Sequence, residues 1–129
     1  MKIAVMGEIH PDGWKIFEEN NLESFELLNF EEHNLKKELS EVDAILLRTA
    51  RLSNDVLSYC NKLKIVSRHG VGYDNVNVDY LNKKNIALGI TSTSNAVSVA
   101  EHVLTSFLYL SKNIHLSDKL TREGRFNDK

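Results

Sequence analysis

The residues best placed to do chemistry lie in SRHGVGYDNVNV, residues 67–78, where an apolar run gives way to two glycines one residue apart and then to a polar turn. Gly70 and Gly72 let the backbone come close to a ligand, and successive N–H groups in such a turn form a concave nest that holds an anion such as a carboxylate. The same glycines also suit a plain strand-to-helix turn that needs a positive φ, and both readings stay open here. The stretch is not the GxGxxG dinucleotide fingerprint, because Asn75 stands at the place of the third glycine and no acidic residue closes the following strand.

Two further stretches carry chemistry. TSTSNAVSVAEH, residues 91–102, runs hydroxyl and amide side chains into a helical pattern, where Ser94 or Asn95 can cap the helix and the dipole draws an anion. Capping alone also accounts for both residues, and an exposed polar face accounts for Glu101 and His102. In Leu47-Arg48-Thr49 a charge arrives at the end of an apolar strand, where an Arg grips a carboxylate or phosphate or simply meets water. Self-sufficient catalytic machinery is missing. His10, His33, His69, His102 and His115 show no HxxxH spacing that would hold a metal, and neither GxSxG nor a P-loop occurs. Cys60 sits among apolar residues and reads as packing, not as a nucleophile.

The elements that position these residues follow from the spacing of apolar side chains. Residues 2–7, 43–49, 64–67 and 86–91 are short β-rich runs without alternation, the form of strands buried on both faces of a parallel sheet, and residues 25–30 (FELLNF) are a further strand. Helices are expected after Pro11 up to Asn20-Asn21, around Leu35 and Leu39, around Val56 and Leu57, and over residues 78–84. From Asn95 to residue 114 a long helix places Val99, Val103, Phe107 and Leu110 on one stripe with Leu104 and Leu108 beside it. A more polar tail follows, with Leu116 and Leu120 four apart and a breaker at Gly124. Strand and helix alternate about every 20 residues, which predicts an α/β fold with right-handed crossovers. A flavodoxin-like five-stranded parallel sheet in the order 2-1-3-4-5, followed by the long helix, puts ligands at the carboxyl ends of the strands.

Composition bounds the function classes. At 129 residues, 42% hydrophobic and 26% charged, with one Pro and six Gly, a single globular domain is expected. Sixteen Lys and Arg against eighteen Asp and Glu, a net charge of −2, argue against a nucleic-acid or anionic-membrane partner. No run approaches the roughly 20 apolar residues of a membrane span. A lone cysteine excludes an internal disulfide and a Cys-rich zinc site, so a reducing cytoplasm is expected.

LLRTARLSNDVL, then KIVSRHGVGYDNVNVDYLNKKNIAL, then TSTSNAVSVAEHVL, in this order and spacing, resemble the N-terminal half of the D-isomer-specific 2-hydroxyacid dehydrogenases, phosphoglycerate dehydrogenase-like. The likeness covers essentially the whole chain, and the GVGYDNV and NAVSVAEH blocks make it specific. It implies a flavodoxin-like substrate (catalytic) domain over residues 1–129 of an NAD-dependent oxidoreductase acting on a small 2-hydroxy or 2-oxo acid. The apolar surface of the helix from Asn95, broader than one side of a small sheet can cover, predicts a homo-oligomer. Val71 and Gly72 match the turn whose amides hold the substrate carboxylate, while Arg48 and Thr49 match the strand end bordering the substrate. Asn95 matches a position facing the substrate in some members, and Val99 one lying against the nicotinamide side of NAD. REGRF, residues 122–126, resembles the last segment before the cofactor domain. The family's catalytic Arg, Glu and His and its NAD-binding Rossmann domain have no counterpart in these 129 residues. The expectation is a substrate domain inactive by itself, or alternatively a non-catalytic binding or oligomerisation module derived from one.

Overall fold

The computed structural model describes residues 1–128. Five strands, β1 (Lys2–Met6), β2 (Glu23–Leu27), β3 (Ala44–Leu47), β4 (Ile65–Arg68) and β5 (Ala87–Ile90), form one parallel sheet in the order β2-β1-β3-β4-β5, as the sequence predicts. The helices between them are α1 (Pro11–Glu19), α2 (Glu32–Glu38), α3 (Asn54–Tyr59) and α4 (Val78–Lys83). The chain gathers into two compact units, Met1–Ser92 and Thr93–Lys129, and the sheet belongs to the first.

Central strands carry the core because both of their faces are covered, which is why they read as unbroken apolar runs. One face holds the larger cluster, including Met6, Leu39, Ile45, Leu47, Val66 and Leu81, all fully buried. The other face is smaller: Ile3, Val5 and Ala44 pack with Trp14 and Phe17 of α1, whose rings meet edge to face at 5.9 Å. β2 begins two residues earlier than the run FELLNF predicts. Its register is fixed by β1, with Lys2 opposite Glu23 and Met6 opposite Leu27, so Leu28 and Phe30 fall past the strand and are exposed. An edge strand needs fewer apolar residues than a central one, and the hydrophobic run pointed too far along the chain.

Short helices are held by their caps. Ser53 Oγ accepts from the Val56 N–H at 3.1 Å to open α3, and Asn77 Oδ1 accepts from the Tyr80 N–H at 3.0 Å to open α4. Lys36 of α2 bridges Glu32 and Asp55, tying α2 to α3. The effect falls on the carboxyl ends of the strands, because both caps lie in the loops that leave them.

The second unit holds α5 (Ala96–Ser111) and α6 (Ile114–Arg122). The single helix expected over residues 95–114 is in fact interrupted, because Asn113 adopts a left-handed backbone (φ 53°) that Asn tolerates better than most residues. Asn95 occupies the position before α5 without a side-chain capping bond, so its expected capping role is not realised by that side chain.

Candidate functional site

β4 ends at Arg68, whose register partner on β3 is Leu47, so the loops after these strands start side by side. His69 extends the ladder by one step, its N–H donating to the Leu47 carbonyl at 2.8 Å. The chain then turns sharply: the Gly70 N–H donates to the Arg68 carbonyl at 2.8 Å, and the Gly70 carbonyl accepts from the Thr91 N–H at 3.2 Å. Gly70 therefore has no N–H left for an anion. The N–H groups of Val71 and Gly72 have no partner among the described residues, which leaves these two as the donors of the turn.

Gly72 is not among the glycines of positive φ, contrary to one expectation for the turn. A Cβ at Gly72 would meet only Asp74 Oδ2, at 3.5 Å, an ordinary contact. What the bare Cα keeps clear at Gly72 is space on the ligand side. That space is a cavity of about 210 Å³ lined by Thr49, Arg68, Gly72, Asp74 and Asn75. A larger depression of about 430 Å³ adjoins it, sharing Asp74 and Asn75 and reaching Arg51 and Ser53.

Asn75, at the place of the missing third glycine, clamps the two loops. Its side-chain amide donates to the Ala50 carbonyl at 2.7 Å, while its own carbonyl accepts from the Leu52 N–H at 3.2 Å. A short parallel bridge between Leu52 and Val76 completes the seam. A polar side chain thus sets the loop spacing where a dinucleotide fold would use a glycine for close helix packing.

Of the residues predicted to hold substrate, Thr49 and Gly72 share the 210 Å³ cavity, and Val71 directly precedes Gly72. Arg48 is placed differently: it is exposed, and its Nη1 donates to the Glu8 carbonyl at 3.0 Å, spanning the end of β1. Gly7 makes that crossing possible. Its φ of 107° suits glycine, and a Cβ there would stand 3.3 Å from Arg48 Cβ. Asn95 and Val99 belong to the second unit, at the start of α5, and Val99 is exposed. Arg68 and Asp74 were quoted only as part of the glycine stretch, yet both line the cavity. Their signal was register: once β3 and β4 pair, a residue at the end of β4 stands beside the loop that carries Thr49.

Comparison with known proteins gives these residues a context. The family model for the D-isomer specific 2-hydroxyacid dehydrogenase, catalytic domain, matches residues 3–127. The chain belongs to this family. D-3-phosphoglycerate dehydrogenase of Sus scrofa is 26% identical over 129 residues, 99% of this chain and 24% of that protein. The chain thus spans about a quarter of the length of such relatives. Among solved structures, a protein of Pyrococcus horikoshii superposes with a TM-score of 0.89 at 23% identity, covering 98% of this chain and 38% of that one. The NAD-dependent formate dehydrogenase of Staphylococcus aureus, solved in complex with NAD, is 28% identical with a TM-score of 0.75, covering 98% and 43%. The fold described above is that of the dehydrogenase family's catalytic domain.

Proposed function

We propose that this chain is the substrate-holding domain of an NAD-dependent oxidoreductase acting on the CH–OH group of a small D-2-hydroxy acid, or on the corresponding 2-oxo acid. The observation that carries the reading is the Gly72 backbone, unbonded among the described residues and open to the cavity lined by Thr49, Arg68, Asp74 and Asn75 at the carboxyl end of the sheet. A carboxylate accepting from the Val71 and Gly72 N–H groups would be fixed at one end, with the Thr49 hydroxyl and the Arg68 guanidinium beside it. In this reading Arg48 borders the substrate, Asn95 faces it and Val99 lies against the nicotinamide, as the family resemblance implies. NAD supplies hydride transfer, and a base at the hydroxyl supplies proton transfer. Neither step is assigned to residues 1–129, so the domain by itself binds and orients. A reducing, cytoplasmic setting accords with the lone buried Cys60.

The purified 129-residue chain is expected to yield no NADH from NAD and D-glycerate or D-lactate, while still binding these acids. NADH formation that a Gly72→Val substitution abolishes would refute this division of labour.

The exposed face of α5 favours a second reading, a binding or oligomerisation module. Val103, Leu104, Phe107 and Leu110 are each more than half exposed, a larger apolar stripe than lone soluble domains ordinarily show. The same stripe serves a dehydrogenase that is a homo-oligomer. Binding of 2-hydroxy acids at Gly72 separates the two readings, since a pure oligomerisation module has no reason to take them.

A further inference from the structure

The carboxyl ends of the strands hold the site described above, and a separate cavity lies at their amino ends. It has a volume of about 170 Å³ and sits between the chain leaving α3 and the chain leaving α4, just before β4 and β5 begin. Leu57, Leu63 and Ile86, all buried, give it an apolar floor, while Ser58, Asn61 and Lys84, all exposed, give it a polar rim. A cavity of about 150 Å³ takes benzene, so this one has room for a ligand of that size. No acidic residue lines it, and Cys60, which does, is kept a neutral thiol by burial. The Lys84 ammonium stands over the Tyr80 ring, 6.0 Å from its centroid, and neither Lys84 Nζ nor the Asn61 side-chain amide has an acceptor among the described residues. The ligand that suits these walls has a compact apolar body, to replace water on Leu63 and Ile86, and one carboxylate to accept from Lys84 and Asn61.

α3 and α4 connect this cavity to the loops around Gly72. α3 runs from its cap Ser53 to Cys60, and α4 from its cap Asn77 to Lys84; Ser53 and Asn77 line the 430 Å³ depression, whereas Cys60 and Lys84 line the far cavity. Each helix of six residues is thus a strut of about 9 Å between the two ends of the sheet. Their starts are joined at the Leu52–Val76 bridge, where the Leu52 N–H donates to the Asn75 carbonyl at 3.2 Å. Among the described residues no hydrogen bond joins their far ends, where the cavity lies instead. We propose that this cavity is an effector site for compact apolar monocarboxylates, and that an occupant, touching the ends of both helices, braces the loop seam beside the Gly72 cavity. The inference does not depend on what binds at Gly72.

The test is a titration of the 129-residue protein with 3-methylbutanoate, followed by amide-resolved NMR and by hydrogen exchange. Saturable shifts at millimolar probe are expected at Asn61, Leu63 and Lys84, and 3-methylbutanamide, the same shape without the charge, should bind at least about fivefold more weakly. Lys84→Met should bring the acid down to the level of the amide, and Asn61→Ala, which leaves the Lys84 stem on Tyr80, should weaken the acid in the same direction. A ligand that binds only while both helix ends are in place slows their parting by one plus its concentration over Kd, so at five times Kd the Leu52 amide should exchange about sixfold more slowly. The Leu22 amide, held by the Phe17 carbonyl at the end of α1, should not change. Shifts that do not saturate, or equal binding of acid and amide, overturn the ligand class and the proposal with it. Saturable binding that leaves Leu52 exchange unchanged, or protects Leu22 as much as Leu52, overturns the claim that the site acts on the loops.

Discussion

Two glycines in this domain look alike in sequence and differ in what they do. Gly7 has a left-handed backbone and sits under Arg48, so Gly7→Ala should cost about 1–3 kcal/mol in denaturant unfolding, through backbone strain and displacement of the Arg48 stem. Gly72 has neither constraint, and Gly72→Ala should stay within about 0.5 kcal/mol, as surface substitutions do. Equal losses at both positions would show that the turn is held by its glycines for folding alone. Cys60 is a third residue whose surroundings decide its chemistry. Burial pushes its thiol up to about 11, and Sγ donates to the Val56 carbonyl, so little thiolate forms near pH 8. Iodoacetamide should label it slowly in the folded protein and readily in denaturant; fast labelling of folded protein would contradict the packing role that its apolar neighbours suggested. Arg48, Thr49 and Gly72 stand out in the sequence because their types are unusual for where they fall. Gly7 and Arg68 do not, because their importance depends on which strand lies beside which.

At the scale of elements, strand identity is written in composition and strand length is not. The central runs AVM, AILL and IV can only be satisfied inside a two-faced sheet, and β1, β3 and β4 appear where the sequence predicts them. β2 is displaced because an edge strand takes its bounds from its neighbour, and the long helix divides at Asn113 because one tolerant residue outweighs a periodic pattern. Leu47, fully buried on β3 and paired with Arg68, joins core to site. Leu47→Ala should cost about 2–5 kcal/mol in denaturant unfolding and loosen the loop pair with it. The amino ends of the strands are tied by Asp43, which accepts from the Lys2 N–H at 2.9 Å and from Lys64 Nζ at 2.8 Å. The Lys64 ammonium first, and then the Lys2 amide, hold its carboxyl below the usual carboxylate range. A group with a lowered folded value stabilises above its unfolded value and loses that contribution as pH falls through the folded one, so the Asp43 share should fade below about pH 4. Asp43→Asn should flatten that part of an acid unfolding curve; an unchanged curve would assign the acid sensitivity elsewhere.

For the molecule as a whole, the fold was legible from the alternation of strand and helix, and the family from the GVGYDNV and NAVSVAEH blocks. The detailed site was less so, because a cavity is made by loops from strands distant in sequence, and by Asn75 holding those loops together. Four of the five predicted substrate contacts, Arg48, Thr49, Val71 and Gly72, lie in one compact unit and Asn95 lies in the other. The apolar stripe of α5 is the feature with the plainest consequence in solution. We expect a dimer or larger species at tens of micromolar by light scattering, and Leu104→Glu with Phe107→Glu should return a monomer without disturbing the sheet. A monodisperse monomer of the unsubstituted chain would contradict this.

The central claim is that the Val71 and Gly72 amides hold the carboxylate of a 2-hydroxy acid. Amide-resolved NMR during a D-glycerate titration tests it most directly. The account predicts saturable shifts centred on residues 71–72 and on Thr49, with millimolar affinity, about −4 kcal/mol, since one side of the cavity is open to water. Gly72→Val, which fills the ligand side while the fold is kept, should abolish them. Shifts scattered over the surface, or unchanged by Gly72→Val, would mean that the turn serves the fold and not a substrate.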